Sequence, residues 1–144
     1  MLKSVAVAGV LFVSLPAFAA STVVQFEPGQ WETSMTMSMM GMDIPGEVET
    51  ECMSADDSRV DFADLSRELA QDGACMVENM QSQPGRITFD ISCTEDGETV
   101  SGPFAIDHTP TAFTMAGTLG AMVEGELMEF GVSMTSKRVG ACAN

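Results

Sequence analysis

The clearest pattern in the chain is a strict alternation of two kinds of side chain over residues 30–39. A period of two places alternate side chains on opposite faces of a strand, so this segment is predicted to be a strand with one buried face. That face consists of Trp31, Thr33, Met35, Met37 and Met39, whereas Glu32, Ser34, Thr36 and Ser38 form the polar face.

A second strand is predicted over residues 47–53, after a reversal marked by Gly41 and by Pro45 with Gly46. One face of this strand has Val48, Thr50 and Cys52, and the face directed to water has Glu47, Glu49 and Glu51. The period then changes over residues 54–73, where Phe62, Leu65 and Leu69 recur at helical spacing and Gly73 follows. We therefore predict one amphipathic helix over 54–73.

Strand patterns return after the helix, over residues 76–81, 86–94, 98–107, 112–119 and 127–138. Residues 120–126 fit either a hairpin loop or a bulged strand end. The last strand alternates again, with one face made of Met128, Phe130, Val132 and Met134. Together these elements indicate an α+β, mostly β, domain: a curved antiparallel sheet or partly closed barrel of about seven strands with one helix.

The first 19 residues have the pattern of a signal peptide. Lys3 precedes an apolar run over residues 5–15, and Pro16 is followed by Ala17-Phe18-Ala19, the small-x-small pattern before a cleavage site. We expect cleavage after Ala19, which would leave residues 20–144 as a single periplasmic or secreted domain. The apolar run is too short for a membrane span, and no other stretch of the sequence is long and apolar enough.

The chain is strongly acidic, because 21 Asp and Glu against 6 Lys and Arg give a net charge of −15. Cleavage would remove one cation, Lys3, and no acid, so the charge of the remaining chain would be −16. Nucleic-acid binding needs a Lys/Arg cluster to displace counterions from phosphates. The charge therefore excludes unaided nucleic-acid binding and is compatible with a basic partner in the cell envelope.

Four cysteines in a chain expected to be exported indicate two disulfides, and the sequence has no CxxC motif of a thiol oxidoreductase or zinc site. Four cysteines allow three pairings. A turn centred on Pro84 would place Cys75 opposite Cys93, close enough to form a disulfide. Cys52 would then pair with Cys142. The same register places Val77 opposite Ile91, Asn79 opposite Phe89 and Gln81 opposite Ile87.

Several short motifs follow one another in a characteristic order. The chain has Pro28-Gly29-Gln30-Trp31-Glu32 before the first clear strand, Cys52 and Cys75 on either side of the helix, Cys93 at the end of a hairpin, and Arg138-Val139-Gly140-Ala141-Cys142. This order resembles the domain of unknown function 3617 family, small exported proteins of bacteria, over nearly all of residues 20–144. The resemblance implies a periplasmic or secreted domain with two disulfides, and it transfers no activity. Gly29-x-Trp31 is also similar to the opening of lipocalin-like barrels, where the Trp plugs one barrel end.

Methionine is unusually frequent, with 13 residues in the chain. Five of them lie within eight positions: Met35, Met37, Met39, Met40 and Met42. Thioethers select Cu(I), so a Met-based copper site is the alternative hypothesis for the function. A core role is the simpler interpretation, because Met fills irregular gaps and the alternation alone accounts for Met35, Met37 and Met39.

Catalytic motifs are missing from the sequence, which has no GxSxG, HExxH, P-loop or dinucleotide fingerprint. The single histidine, His108, follows Asp107, but nothing identifies a nucleophile for a triad. We therefore expect no enzyme and no cofactor, but a binding or accessory module for a small apolar ligand or an envelope protein. The candidate site is an apolar concave sheet face with Trp31, Met35, Met37, Met39 and Phe130, although the same side chains could instead fill the core.

Overall fold

The computed structural model describes residues 20–143, which form nine strands and one helix. In chain order the elements are β1 (Val23–Gln25), β2 (Gly29–Met39), β3 (Met42–Met53), β4 (Arg59–Asp61), α1 (Phe62–Gln71), β5 (Cys75–Gln83), β6 (Arg86–Glu95), β7 (Glu98–Thr109), β8 (Ala112–Val123) and β9 (Glu126–Gly140). The expected signal peptide, residues 1–19, lies outside the described residues. No helix in the described part is long and apolar enough to cross a membrane.

Seven of the strands form one antiparallel sheet in the order β3-β2-β9-β8-β7-β6-β5, and β1 pairs with β4 separately. The sheet is not closed, because β3 and β5 lie at opposite edges. The mostly β fold with one helix is therefore confirmed, as a curved open sheet. The closure of a lipocalin-like barrel is not formed by the described residues.

Three of the strand reversals in the sheet use two-residue turns that end in glycine. Met40-Gly41, Asp96-Gly97 and Glu124-Gly125 all have positive φ at both positions, as tight hairpin turns of the I′ type require. Two predicted boundaries were wrong for this reason. The strand β3 begins directly at Met42, so Pro45 and Gly46 lie inside the strand at a register shift. Residues 120–126 are mostly strand, with a two-residue turn between β8 and β9.

The predicted helix over 54–73 was too long at its beginning. Residues 55–58 form turns, and β4 pairs with β1, a strand that the alternation pattern did not predict. The helix begins after Asp61, whose carboxylate accepts hydrogen bonds from the Ala63 N–H at 3.0 Å and the Thr22 hydroxyl at 3.1 Å. Partial desolvation raises the pKa of Asp61, but these hydrogen bonds outweigh it and hold the pKa below its usual value.

The hairpin of β5 and β6 follows the predicted register only in its first half. Cys75 lies opposite Cys93 and Val77 lies opposite Ile91, as predicted. The register then shifts, so that Gln81 lies opposite Thr88 and the predicted pairs of Asn79 with Phe89 and of Gln81 with Ile87 were wrong. The cause is a bulge at Asn79, which has a φ of 54° and donates a hydrogen bond to the Asp90 carboxylate at 2.7 Å.

The hydrophobic core lies between one end of the sheet and a thin layer made of β1, β4 and α1. Its buried apolar side chains are Val24, Phe26, Trp31, Ile87 and Ile106. The Trp31 indole N–H donates to the Glu27 carbonyl at 3.0 Å, and its ring meets the Phe26 ring edge to face at 5.5 Å. Trp31 thereby joins the first long strand to the segment that covers it.

Both predicted disulfides are present. Cys75 is bonded to Cys93 across the β5/β6 hairpin, and Cys52 is bonded to Cys142 over a sequence separation of 90 residues. The second bond ties the edge strand β3 to the segment that follows β9. The chain is therefore cross-linked at both edges of the sheet.

Shortening an apolar side chain should lower the free energy of unfolding much more in the core than on the uncovered half of the same sheet face. Ile87 has 0% exposed surface, whereas Ile44, on the half that no described element covers, is 56% exposed. We expect Ile87→Ala to lower the free energy of unfolding by about 2–5 kcal/mol, and Ile44→Ala to lower it by less than about 1 kcal/mol. Urea unfolding with intact disulfides measures both. An equal loss in the two variants would show that Ile44 is packed in solution.

The two disulfides should differ in their contribution to stability, because they close loops of different length. Their sequence separations are 90 residues for Cys52–Cys142 and 18 residues for Cys75–Cys93. In the chain-entropy picture, C52S/C142S should lower the free energy of unfolding by about 4–5 kcal/mol and C75S/C93S by about 3 kcal/mol. Urea unfolding of the two double variants measures the difference. A larger loss in C75S/C93S would contradict this order.

Candidate apolar ligand site

Half of the apolar sheet face is left uncovered by the described residues and is available for binding. Residues opposite one another in neighbouring antiparallel strands share a face, so the pairings define one continuous patch. We call it the methionine surface: Met35, Met37 and Met39 of β2, Met42 and Ile44 of β3, Leu119 of β8, and Met128, Phe130, Val132 and Met134 of β9.

The methionine surface continues the same face that forms the core. Trp31 and Met37 lie on one face of β2, yet Trp31 is 3% exposed and Met37 is 44% exposed. The difference arises because the layer of β1, β4 and α1 contacts only one end of the sheet. Across the turn into β3, Met42 is 64% exposed. The alternation of the sequence therefore identifies the apolar face of the sheet correctly. It does not show which part of that face is covered by β1, β4 and α1.

At the boundary between the covered and uncovered halves of the apolar face, the Phe104 ring packs on Gly117. A Cβ atom at Gly117 would come within 2.5 Å of the Phe104 ring, so the ring occupies the space that a side chain would need. Phe104 also stacks on Phe89, with 5.8 Å between ring centroids. This stack separates the packed core from the methionine surface at the β7/β8 side of the sheet.

The opposite face of the sheet is mostly polar, although it also has the exposed apolar residues Val48, Met76, Met122 and Leu127. Lys137 and Glu32 form an ion pair there at 3.1 Å, and Arg86 donates to both carboxylate oxygens of Asp107 at 2.6 and 2.7 Å. One face therefore suits water and the other suits apolar groups. Contiguous exposed apolar patches on a folded domain mark binding surfaces for ligands or partners.

The predicted ligand-contacting residues are partly brought together. Met39 lies directly opposite Phe130, and Met35 and Met37 lie on the same face of β2, so these four residues are part of the methionine surface. Trp31 lies in the core, where only part of it borders a cleft. Met134, Val132, Met128 and Leu119 also belong to this surface but were not among the predicted ligand contacts. The alternation of the last strand places three of them, Met134, Val132 and Met128, on the same face as Phe130.

The assignment of faces in β3 needs a correction. Glu49 lies opposite Thr33 and Glu51 lies opposite Trp31, so these acids are on the apolar face of the sheet. Val48, expected on a buried face, is 62% exposed on the polar side. The reason is that β3 is an edge strand beyond most of the covering layer, so either face can carry charges that stay in water.

A cleft of about 240 Å³ lies where the covered half meets the methionine surface, and we call it the aromatic cleft. Its lining residues are Trp31, Thr33, Glu51, Cys52, Met53, Asp57, Phe113 and Ser136. The Thr33 and Ser136 hydroxyls are 2.8 Å apart, and Ser136 is buried. The cleft thus combines a hydroxyl pair, two aromatic rings and two carboxylates.

A second, smaller cavity of about 120 Å³ lies between α1 and the sheet. Its lining includes Leu65 and Leu69 of the helix and Met80, Phe89 and Met115 of the sheet. Ligand pockets for small organic molecules usually measure several hundred Å³. This cavity is therefore a packing gap beneath the helix rather than a site for a whole ligand.

Two pairs of methionines face each other on the methionine surface. Met35 lies opposite Met134 across β2 and β9, and Met39 lies opposite Met42 across β2 and β3. Met40 is in the turn between β2 and β3 and is highly exposed. Within residues 20–143, no group of three His, Cys, Asp or Glu side chains is arranged to hold a metal ion.

His108 and Asp107 do not form a catalytic pair. They are adjacent in β7, and alternation places them on opposite faces of the sheet. The Asp107 carboxylate is bound to Arg86 on the polar face, whereas His108 is half-buried beside Phe113 on the apolar face. Their adjacency in sequence therefore provides no carboxylate to orient the imidazole.

Comparison with known proteins gives one informative match. No curated protein and no solved structure matches the chain. A family model described as "Protein of unknown function (DUF3617)" matches residues 26–142. That span contains the whole seven-stranded sheet and all four cysteines. Since the match covers most of the sequence, the chain belongs to the DUF3617 family.

Proposed function

We propose that the protein is a non-enzymatic binding module that holds a small apolar ligand on the methionine surface. One observation carries the proposal: the apolar row of β2 passes from the buried Trp31 to the exposed Met35, Met37 and Met39 without leaving its face of the sheet. A sheet face that is apolar over its whole length but covered over half of it presents a surface that a ligand can cover.

The residue composition of the methionine surface supports binding of apolar ligands of different shapes. Methionine is unbranched and polarisable, so several Met side chains can adjust to different apolar molecules. Met37, Met42 and Met128 are exposed and can change rotamer without disturbing the core. A flexible chain or a flat apolar molecule would therefore be accommodated.

The proposed place of action is the periplasm or the extracellular space. Both disulfides lie in the described domain and fit an oxidising compartment. The signal-peptide pattern over residues 1–19 supports export. The acidic charge of the chain, −15, would favour a basic envelope protein as the donor or recipient of the ligand.

Binding of an uncharged fluorescent probe tests the proposal. N-phenyl-1-naphthylamine avoids repulsion by the acidic chain, and we expect it to bind saturably with increased emission. Met35→Gln with Met37→Gln should weaken binding about tenfold, because two apolar contacts worth about 0.8 kcal/mol or more each are removed. Fluorescence titration gives the dissociation constants.

Met76→Gln is the matched control for this test, because Met76 is 57% exposed but lies on the polar side of the sheet, in β5. The control should leave the affinity unchanged. Absence of saturable binding by the unaltered protein, or an equal loss in M76Q, would contradict a ligand site on the methionine surface.

A Cu(I) site is the second candidate function, and the pairing of Met35 with Met134 favours it. Met37 follows Met35 on the same face, so three thioethers from two strands are neighbours. Thioether sulfur is a soft donor that selects Cu(I), and an exported protein would meet copper in an oxidising compartment. Met40, in the turn, would be a donor only if its side chain reached back to this face.

Replacing methionine by leucine separates the two candidates. We expect M35L/M134L to abolish Cu(I) binding, because leucine has no donor atom, while binding of N-phenyl-1-naphthylamine persists because the surface stays apolar. Titration of Cu(I) against a competing chelator under anaerobic conditions measures the metal affinity, with M76L as the control. Binding of the unaltered protein no tighter than micromolar would exclude the copper function.

A further inference from the structure

The aromatic cleft adjoins the methionine surface along β2. Thr33 lines the cleft, and the next residues on the same face are Met35, Met37 and Met39. At about 3.3 Å per residue, the distance from Thr33 to Met39 is about 20 Å, similar to an extended alkyl chain of medium length. A single ligand could therefore occupy the cleft with one end and the methionine surface with the other.

The cleft presents negative charge beside aromatic rings. Glu51 and Asp57 are its acidic lining residues, and Trp31 and Phe113 are its aromatic ones. The four ion pairs found within residues 20–143 involve neither Glu51 nor Asp57. Asp57 accepts a hydrogen bond from the Ser54 hydroxyl at 2.6 Å, which holds its carboxylate in place. The lining residues include no Lys or Arg to neutralise these acids.

Carboxylates next to aromatic rings are the groups that bind an ammonium ion. The carboxylates attract its charge, and an accessible aromatic ring adds cation–π attraction. The half-buried Phe113 is the more accessible ring here, because Trp31 is only 3% exposed. The volume of about 240 Å³ is below that of a site for a whole small molecule, so it suits a compact head group. The charge of −15 on the chain would add a long-range attraction for cations.

From this arrangement we propose that the ligand is a cationic amphiphile, whose amine or quaternary ammonium head lies in the aromatic cleft and whose apolar chain lies along the methionine surface. This inference rests on the proposed binding function and specifies its ligand class. Glu51 and Asp57 are then the residues that select the head group, and Met35, Met37 and Met39 contact the chain.

Three amphiphiles with the same dodecyl chain test the proposal: dodecyltrimethylammonium, dodecyldimethylamine oxide and dodecyl sulfate. Each is titrated below its micelle concentration, at physiological ionic strength, against bound N-phenyl-1-naphthylamine. We expect the cation to bind at least about tenfold more tightly than the amine oxide, which has no net charge at neutral pH, and the sulfate to bind most weakly.

Glu51→Gln should remove most of the preference for the cation and leave affinity for the amine oxide unchanged. Asp57→Asn should act in the same direction. Glu129→Gln is the matched control, because it removes the same charge from the polar face of β9. If E129Q lowers the cation preference as much as E51Q does, the attraction comes from the whole chain and the proposal is wrong.

The outcomes also distinguish this inference from the binding function on which it rests. If the amine oxide binds at the methionine surface and the cation binds no more tightly, the apolar site stands and the head-group site is refuted. If none of the three amphiphiles displaces the probe while M35Q/M37Q still weakens binding of the probe, the ligand class is refuted and the apolar site stands. If the probe itself does not bind saturably, the binding function is refuted.

Discussion

The structure depends on one constraint: a seven-stranded sheet has an apolar face that is much larger than the layer available to cover it. That layer consists of two three-residue strands and a ten-residue helix. It reaches the end of the sheet where Trp31, Ile87 and Ile106 lie, and its contacts there make the core. The extent of this layer determines the position of both candidate sites. The aromatic cleft lies at the margin of the layer, and the methionine surface lies beyond it.

An open sheet with a half-exposed apolar face must also avoid pairing with other chains through its edges. The edge strand β3 carries Glu47, Glu49 and Glu51, and charges on an edge oppose the addition of another strand. Its register shift near Gly46 and the bulge at Asn79 in the other edge strand, β5, interrupt regular pairing. The polar second face keeps ion pairs such as Glu32–Lys137 in water. One of these acids, Glu51, also lines the aromatic cleft.

The sequence predicted those features that depend on alternation, and it failed where local geometry or cover decided the outcome. Opposed positions in a hairpin follow from the turn, so Cys75 and Cys93 could be paired before any coordinates were known. The bulge at Asn79 could not be predicted in this way, because one residue in left-handed conformation changes the register without changing composition. The start of the helix was missed because the pairing of β4 with β1 is a contact between segments distant in sequence.

The candidate site shows the same limit more sharply. Alternation grouped Trp31 with Met35, Met37 and Met39, and these residues do share a face, but no periodicity can distinguish an apolar residue that is covered from one that is not. Residue type offers a partial signal. The buried core positions are Val, Ile, Phe and Trp, whose stiff or rigid side chains pack in one arrangement.

The burial of each methionine on the apolar face depends on whether β1, β4 and α1 cover that part of the sheet. Met53, Met80 and Met115 pack against the edge of the core, whereas Met35, Met37 and Met42 lie in the open. Flexible side chains specify packing poorly and adapt to a changing neighbour well. A surface built to meet one fixed partner would gain more from rigid residues, because less rotamer entropy is lost on binding. The concentration of methionine on the uncovered half is therefore more compatible with the proposed small apolar ligand than with a single protein interface.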